Sequence, residues 1–233
     1  MIKKIISFTL IAAAVSSCAM TVFAPHHKET MPSAVGEMKT TFIDGTGTSC
    51  YGTLISQSRI LSLSHCVLGP AIANMAFFPS DGSRPMIILP PNRHEVLSYV
   101  NSLNDFPSEV TAFKLLNQPD GIKPIDVSLE KSSEGSLELS YIAQASNDEQ
   151  ENMITVGCHF ENKQYIKGAH VTSSPNCHTP IGTSGRPFLS YKEGKWLVTG
   201  IYHGFLKGQN KEDVFTQGIA TTPGEWNIDL QSD

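Results

Sequence analysis

Cys50-Tyr51-Gly52-Thr53-Leu54-Ile55-Ser56-Gln57-Ser58-Arg59-Ile60-Leu61-Ser62-Leu63-Ser64-His65-Cys66-Val67 reads as two short strands around a polar turn. Aliphatic and β-branched residues fill Thr53-Leu54-Ile55 and Ile60-Leu61-Ser62-Leu63, while Ser56-Gln57-Ser58 supplies turn chemistry. The second strand delivers His65 at its end, beside Cys66. Upstream, Lys39-Thr40-Thr41-Phe42-Ile43 is a further strand that stops at Asp44-Gly45, and the chain resumes after Thr46-Gly47-Thr48. Downstream, Ile87-Ile88-Leu89 before Pro90-Pro91, Glu95-Val96-Leu97-Ser98-Tyr99-Val100, and Val110-Thr111-Ala112-Phe113-Lys114-Leu115-Leu116 between Pro107 and Pro119 continue the strand pattern.

The remainder has the same texture. Strands are expected at Met153-Ile154-Thr155-Val156, Gln164-Tyr165-Ile166, Trp196-Leu197-Val198-Thr199-Gly200-Ile201-Tyr202 and Val214-Phe215-Thr216. Short apolar runs separated by Gly, Pro, Ser, Thr and Asp, with no fixed-period repeat, predict an all-β chain of two small barrels in succession. The polar stretch from residue 126 to 150 marks the join. With 233 residues, 40% of them hydrophobic, the chain is long enough for one sizeable core or two small ones. A net charge of −5 gives no electrostatic reason to expect nucleic acid as a partner.

The beginning of the chain reads as a targeting segment. Lys3 and Lys4 precede an apolar run of about eleven residues, too short for a membrane span and suited to a secretory signal. Val15-Ser16-Ser17-Cys18 resembles a bacterial lipobox, which would make Cys18 a lipidated mature N-terminus. Cleavage after Ala24 is the alternative, with Pro25 poorly placed beyond the cut. The expected layout is a signal segment at 1–18, a flexible tether at 19–33, a first barrel at 34–125, and a second barrel with a tail at 126–233. Adjacent His26 and His27 lack the further ligands a metal site needs, and no cofactor or metal motif is found.

The chain has 5 cysteines. Setting Cys18 aside leaves Cys50, Cys66, Cys158 and Cys177, an even set in an exported domain. Four cysteines allow three pairings, of which Cys50 with Cys66 and Cys158 with Cys177 is the simplest. A crosslink over such a loop contributes about 3 kcal/mol in the chain-entropy account.

A second stretch carries chemistry. Gly182-Thr183-Ser184-Gly185-Arg186-Pro187-Phe188-Leu189 holds a serine between glycines on a tight turn ahead of an apolar strand. Serine is a weak nucleophile unless a base takes its proton, and histidine is suited to that near neutrality. A carboxylate must in turn fix the imidazole tautomer. His65 upstream and Ser184 downstream therefore point to a serine hydrolase. The α/β-hydrolase alternative fails, because Arg186 stands where a second glycine is needed and the histidine precedes the serine.

The cysteine-bracketed segment ending in His65, together with Gly182-Thr183-Ser184-Gly185, resembles the chymotrypsin/trypsin-like serine proteases, over roughly residues 34–216. That resemblance implies two six-stranded antiparallel barrels with the active site in the cleft between them, and a protein or peptide substrate. It assigns His65 as general base and Ser184 as nucleophile. The family's third member heads a strand with a lysine five positions on. Glu109-Val110-Thr111-Ala112-Phe113-Lys114 fits that frame, with glutamate in place of the usual aspartate, and Asp105 is the rival. The backbone N–H groups of Gly182 and Ser184 would form the oxyanion hole. Thr183 replaces the aspartate that pairs with a freshly cut N-terminus in animal relatives, implying a hole formed on folding. Arg186 is unusual at its position, where it could crowd the turn or bind an acidic group.

For the substrate pocket the resemblance implies His178 and Thr179 before the nucleophile turn, Tyr202 and His203 on the strand that pairs with the substrate backbone, and Asp213 on a further wall. A histidine with a threonine suits an acidic side chain and Asp213 a basic one, so the preference stays open. The reading expected is an exported serine endopeptidase, tethered to the outer membrane through Cys18 or else periplasmic or secreted. Its alternative is a catalytically impaired protease-like binding module. Oligomeric state is not legible.

Overall fold

The computed structural model describes residues 28–102, 105–117, 119–128, 141–145, 152–156, 161–166, 168–173, 184–205, 217–228 and 230. Strand β1 is Lys28–Thr30. The first half then contributes β2 (Val35–Phe42), β3 (Gly47–Ser56), β4 (Arg59–Leu63), β5 (Ile72–Pro79), β6 (Met86–Ile87), helix α1 (Arg93–Ser102), the single-turn helix α2 (Phe106–Glu109) and β7 (Val110–Lys114). The second half contributes β8 (Asp126–Val127), β9 (Tyr141–Ala145), β10 (Asn152–Val156), β11 (Glu161–Ile166), β12 (Ala169–Ser173), β13 (Pro187–Lys192), β14 (Lys195–Phe205) and β15 (Gln217–Thr221).

Six strands form the first sheet in the order β6-β5-β2-β3-β4-β7. Its two ends meet. Ile88 bridges Leu115, with the Leu89 N–H on the Lys114 carbonyl at 2.7 Å and the Leu116 N–H on the Ile87 carbonyl at 2.9 Å. Closing the sheet on itself satisfies both edges, which an open six-stranded sheet would leave exposed. Alternation drives the closure: along β2, Gly36, Met38, Thr40 and Phe42 are buried on one face while Lys39 and Thr41 on the other are exposed. Leu54, Ile60, Leu61, Leu63, Met75, Phe77 and Ile88 fill the interior with no exposed surface.

The second sheet holds nine strands, in the path β1-β10-β9-β13-β14-β15-β12-β11 with β8 parallel to β14. Among the described residues it exceeds the six expected, the peripheral β1 and the two-residue β8 being among the additions. Lys28–Thr30, in the stretch read as a tether, pairs antiparallel with Thr155, Ile154 and Met153 of β10. The core is continuous between the two sheets, since Leu189, Val198, Ile201 and Trp226 belong to the same buried cluster as the first-barrel residues.

Several elements differ from the sequence reading, with β9, β12 and β15 among the strands it did not name. The Glu95–Val100 stretch, expected as a strand, lies in α1. Its start is capped reciprocally: Asn92 Oδ1 accepts the His94 and Glu95 N–H groups at 2.9 and 3.1 Å, and Glu95 Oε2 accepts the Asn92 N–H at 2.6 Å. Strand β5 was not anticipated. It pairs along β2 from Gly36 to Phe42, and only Met75, Phe77 and Pro79 of it are fully buried. The expected strand at residues 214–216 lies outside the described residues. Among them no helix is long and apolar enough to cross a membrane.

Candidate active site

On the first barrel, β4 runs directly into a 3-10 turn, Ser64–Val67, that carries His65. A disulfide joins Cys66 of that turn to Cys50 in β3, and the Thr48 hydroxyl donates to the Cys66 carbonyl. The turn is therefore fixed at both ends while the His65 side chain stays 31% exposed. Strand β7 pairs with β4 in a register that sets Leu63 opposite Val110. That register carries the preceding residue, Glu109, alongside the following one on β4, the His65 turn. The Glu109 Oε2 lies 3.1 Å from His65 Nδ1. An ionised carboxylate only accepts, so the Nδ1–H donates and the lone pair is left on Nε2, the nitrogen free to take a proton.

The second barrel supplies Ser184. Its carbonyl accepts the Tyr51 N–H at 2.7 Å, the Gly185 N–H donates to the Tyr202 carbonyl at 2.8 Å, and the Tyr202 N–H donates to the Arg186 carbonyl at 2.8 Å. The turn is thereby clamped between β3 and β14. Glycine is required at 185 twice over. Its φ is 82°, and a Cβ there would collide with the Tyr51 carbonyl oxygen and sit 2.7 Å from Ser62 Oγ. The Ser184 hydroxyl donates to the His203 carbonyl at 3.1 Å, and among the described residues it makes no bond to His65. Such bonds are often unmade without substrate.

A bulge decides what His203 does. Tyr202 pairs with Ala220 and Gly204 with Ile219, so His203 is the extra residue between two consecutive partners on β15. Its ring turns inward, 2% exposed, with Nδ1 3.2 Å from the same Glu109 Oε2 and Nε2 2.9 Å from Thr221 Oγ1. Burial raises the Glu109 carboxyl, but the hydrogen bonds from His203 and His65 outweigh it and hold the group below its ordinary value. Burial pushes His203 below the usual histidine value, against the pull of Glu109. Glu109 is thus an anion and His203 a neutral ring.

No protein-family model and no curated protein sequence matches the chain. Solved structures do. The HL collagenase structure aligns with a TM-score of 0.57 at 16% identity, covering 85% of this chain and 92% of the other. The protease Anisep of Arthrobacter nicotinovorans gives 0.57 at 15%, over 84% and 92%. The thermostable serine protease AL20, from an extremophilic microorganism, gives 0.56 at 13%, over 82% and 91%. The fold is that of the chymotrypsin-like serine proteases.

Within this chymotrypsin-like fold, His65, Glu109 and Ser184 converge on one region from three separate segments. Asp105, the rival to Glu109, is exposed and its carboxylate accepts the Ser108 hydroxyl instead. Tyr202 and His203, expected at the pocket, both face inward: Tyr202 is 1% exposed and meets Phe188 edge to face at 6.4 Å. Gly182, Thr183, His178, Thr179, Asp213, Cys158, Cys177 and Cys18 lie outside the described residues. Arg186 is buried, its guanidinium 4.2 Å over the Tyr51 ring and its Nη2 donating to the Tyr51 hydroxyl at 2.9 Å. Among the described residues no acidic group pairs with it, and its partner is the Tyr51 ring and hydroxyl. Cys50, His65 and Cys66 cluster closely enough to hold a metal, but sulfurs joined in a disulfide are not thiolate donors.

The sequence reading missed Thr221 and Trp226. The Trp226 indole N–H donates to Thr221 Oγ1 at 2.9 Å. A legible signal stood nearby: Thr222-Pro223-Gly224-Glu225 has capping-box spacing, and Glu225 Oε2 accepts from the Thr222 N–H and hydroxyl at 2.8 and 3.0 Å.

Proposed function

We propose that the chain is an exported serine endopeptidase. The Ser184 hydroxyl rotates off the His203 carbonyl and attacks the peptide carbonyl carbon, while His65 Nε2 takes its proton. The oxyanion is held by the N–H groups of Gly182 and Ser184. The tetrahedral intermediate collapses as the imidazolium returns the proton to the leaving amine, leaving an acyl group on Ser184 Oγ. Water then attacks that ester by the same route in reverse. Glu109 orients the imidazole and stabilises its charged form. The observation that carries this reading is the buried Glu109 carboxylate on Nδ1 of a partly exposed His65. Glu109 is the last residue of α2 and directly precedes β7, so its carboxylate is placed by both elements.

His178, Thr179 and Asp213 remain the proposed pocket, and Cys18 the proposed lipid anchor. Cys18→Ala would move a lipidated protein from the membrane to the soluble fraction, and an unchanged membrane fraction would remove the anchor. The endopeptidase reading is tested on a proteome-derived peptide library. Cleavage by the wild type and none by Ser184→Ala is expected; an intact library with both proteins contradicts it. One observation favours a binding module without turnover: Ser184 donates to His203 rather than to His65. Peptide retained uncleaved by the wild type would select that reading.

A further inference from the structure

The buried hydrogen bonds behind Glu109 run in one direction. An indole N–H can only donate, so Thr221 Oγ1 accepts from Trp226 Nε1 at 2.9 Å. The Thr221 hydroxyl then has one proton to give, and His203 Nε2 stands 2.9 Å away. On the other side of the ring the Glu109 carboxylate can only accept, so the ring proton sits on Nδ1, 3.2 Å from Oε2, and Nε2 of a neutral ring accepts from Thr221. A second donor, His65 Nδ1–H, reaches the same oxygen at 3.1 Å. Protonating His203 would strip the Thr221 hydroxyl of this acceptor and place a cation in a sealed interior. Phe106 closes the ring's flank edge to face at 5.5 Å.

We propose that His203 is a positioning residue for Glu109: a neutral imidazole, fixed as its Nδ1–H tautomer by Trp226 and Thr221, that holds the carboxylate oxygen on His65. The catalytic consequence rests on the endopeptidase reading above; the hydrogen-bond chain does not. The long glutamate side chain has three rotatable bonds, and one hydrogen bond to His65 leaves it free to swing about that contact. A second, rigid donor from the opposite barrel fixes it. The bulge at His203 turns the ring inward onto Glu109 while its backbone carbonyl accepts from Ser184. One residue thus touches two members of the site, with its ring on the carboxylate and its carbonyl on the serine.

Two measurements test this. In ¹⁵N-histidine NMR of the wild type at neutral pH, His203 is expected with a protonated Nδ1 and an acceptor Nε2. Thr221→Val should weaken that preference. A protonated Nε2, or a doubly protonated ring, overturns the proposal whether or not the protein is a hydrolase. The second measurement is the rate of fluorophosphonate labelling in two variants. His203→Asn keeps an N–H donor near the Nδ1 position but loses volume; His203→Leu keeps volume and loses the donor. A positioning role predicts that Asn stays near the wild-type rate while Leu falls roughly 10- to 100-fold. If packing alone matters, Leu outperforms Asn and the proposal falls. Absence of labelling in the wild type would instead strike the hydrolase reading and leave the tautomer result to decide the chain.

Discussion

His65 and His203 hold the same oxygen of Glu109 from opposite sides, at 3.1 and 3.2 Å, yet one ring is 31% exposed and the other 2%. His65 comes from the first barrel on a turn at the end of a regular strand. His203 comes from the second, on a bulge. Distance to the carboxylate does not separate their roles; access does. A ring that meets the cleft can exchange a proton with a bound substrate, while a sealed ring with both nitrogens engaged can only hold its neighbour. On the proposed reading, one buried anion serves one proton carrier and is steadied by a second imidazole that does not carry.

The comparison breaks most readily at His65. His65→Ala should lower the rate of peptide cleavage by roughly 10⁶, as removal of a base that acts with its nucleophile does elsewhere, whereas His203→Leu should cost two orders of magnitude or less. Equal losses in kcat would mean that exposure does not divide the roles. Glu109→Gln comes next, with about a 10⁴-fold loss in kcat expected, because an amide can present its N–H to His65 and impose the wrong tautomer. A change in KM alone would place Glu109 outside the chemistry.

A smaller effect separates the supports of the two rings. Cys50→Ala with Cys66→Ala should lower stability by about 3 kcal/mol, roughly 6–12 °C in Tm for a chain of this size. It should leave the ¹⁵N signals of His203 in place while broadening those of His65, whose turn the disulfide anchors. Unchanged Tm would show that β4 and β7 hold the turn unaided.

The smallest expected effect lies in pH. Burial lowers His203 from its ordinary 6.5, so the folded chain stays neutral where the unfolded chain takes a proton. Its share of stability is complete above 6.5 and declines as pH falls toward its lowered value. Glu109 is also lowered, from 4.5; its share is present above 4.5 and is lost as pH falls through its own lowered value. Urea midpoints against pH should therefore show an upper limb that His203→Asn removes and a lower limb that it leaves. Loss of both limbs in that variant would mean that the two groups titrate as one unit.

Much of the site on the first barrel was legible because it is local. Strand β4, the turn after it and the two cysteines lie within one stretch, and Glu109 sits at the head of a strand whose pattern is plain. The second barrel's contribution was not. His203 faces inward only because β14 slips by one residue against β15, and a register is a property of two strands, not of either sequence. The Arg186 contact with Tyr51 spans 135 positions along the chain, so a buried arginine looked like an anomaly of the turn. Helix α1 was misread for a local reason: a six-residue window fits both alternation and helical spacing, and the Asn92–Glu95 cap outside it decides between them.

The central claim is that Ser184 is a nucleophile activated by His65 under Glu109. Intact-protein mass spectrometry after incubation with a fluorophosphonate, followed by peptide mapping, reads it directly. One adduct per chain, mapped to Ser184 and absent from both Ser184→Ala and His65→Ala, is the predicted result. An unlabelled wild type, or an adduct that persists in Ser184→Ala, would contradict it.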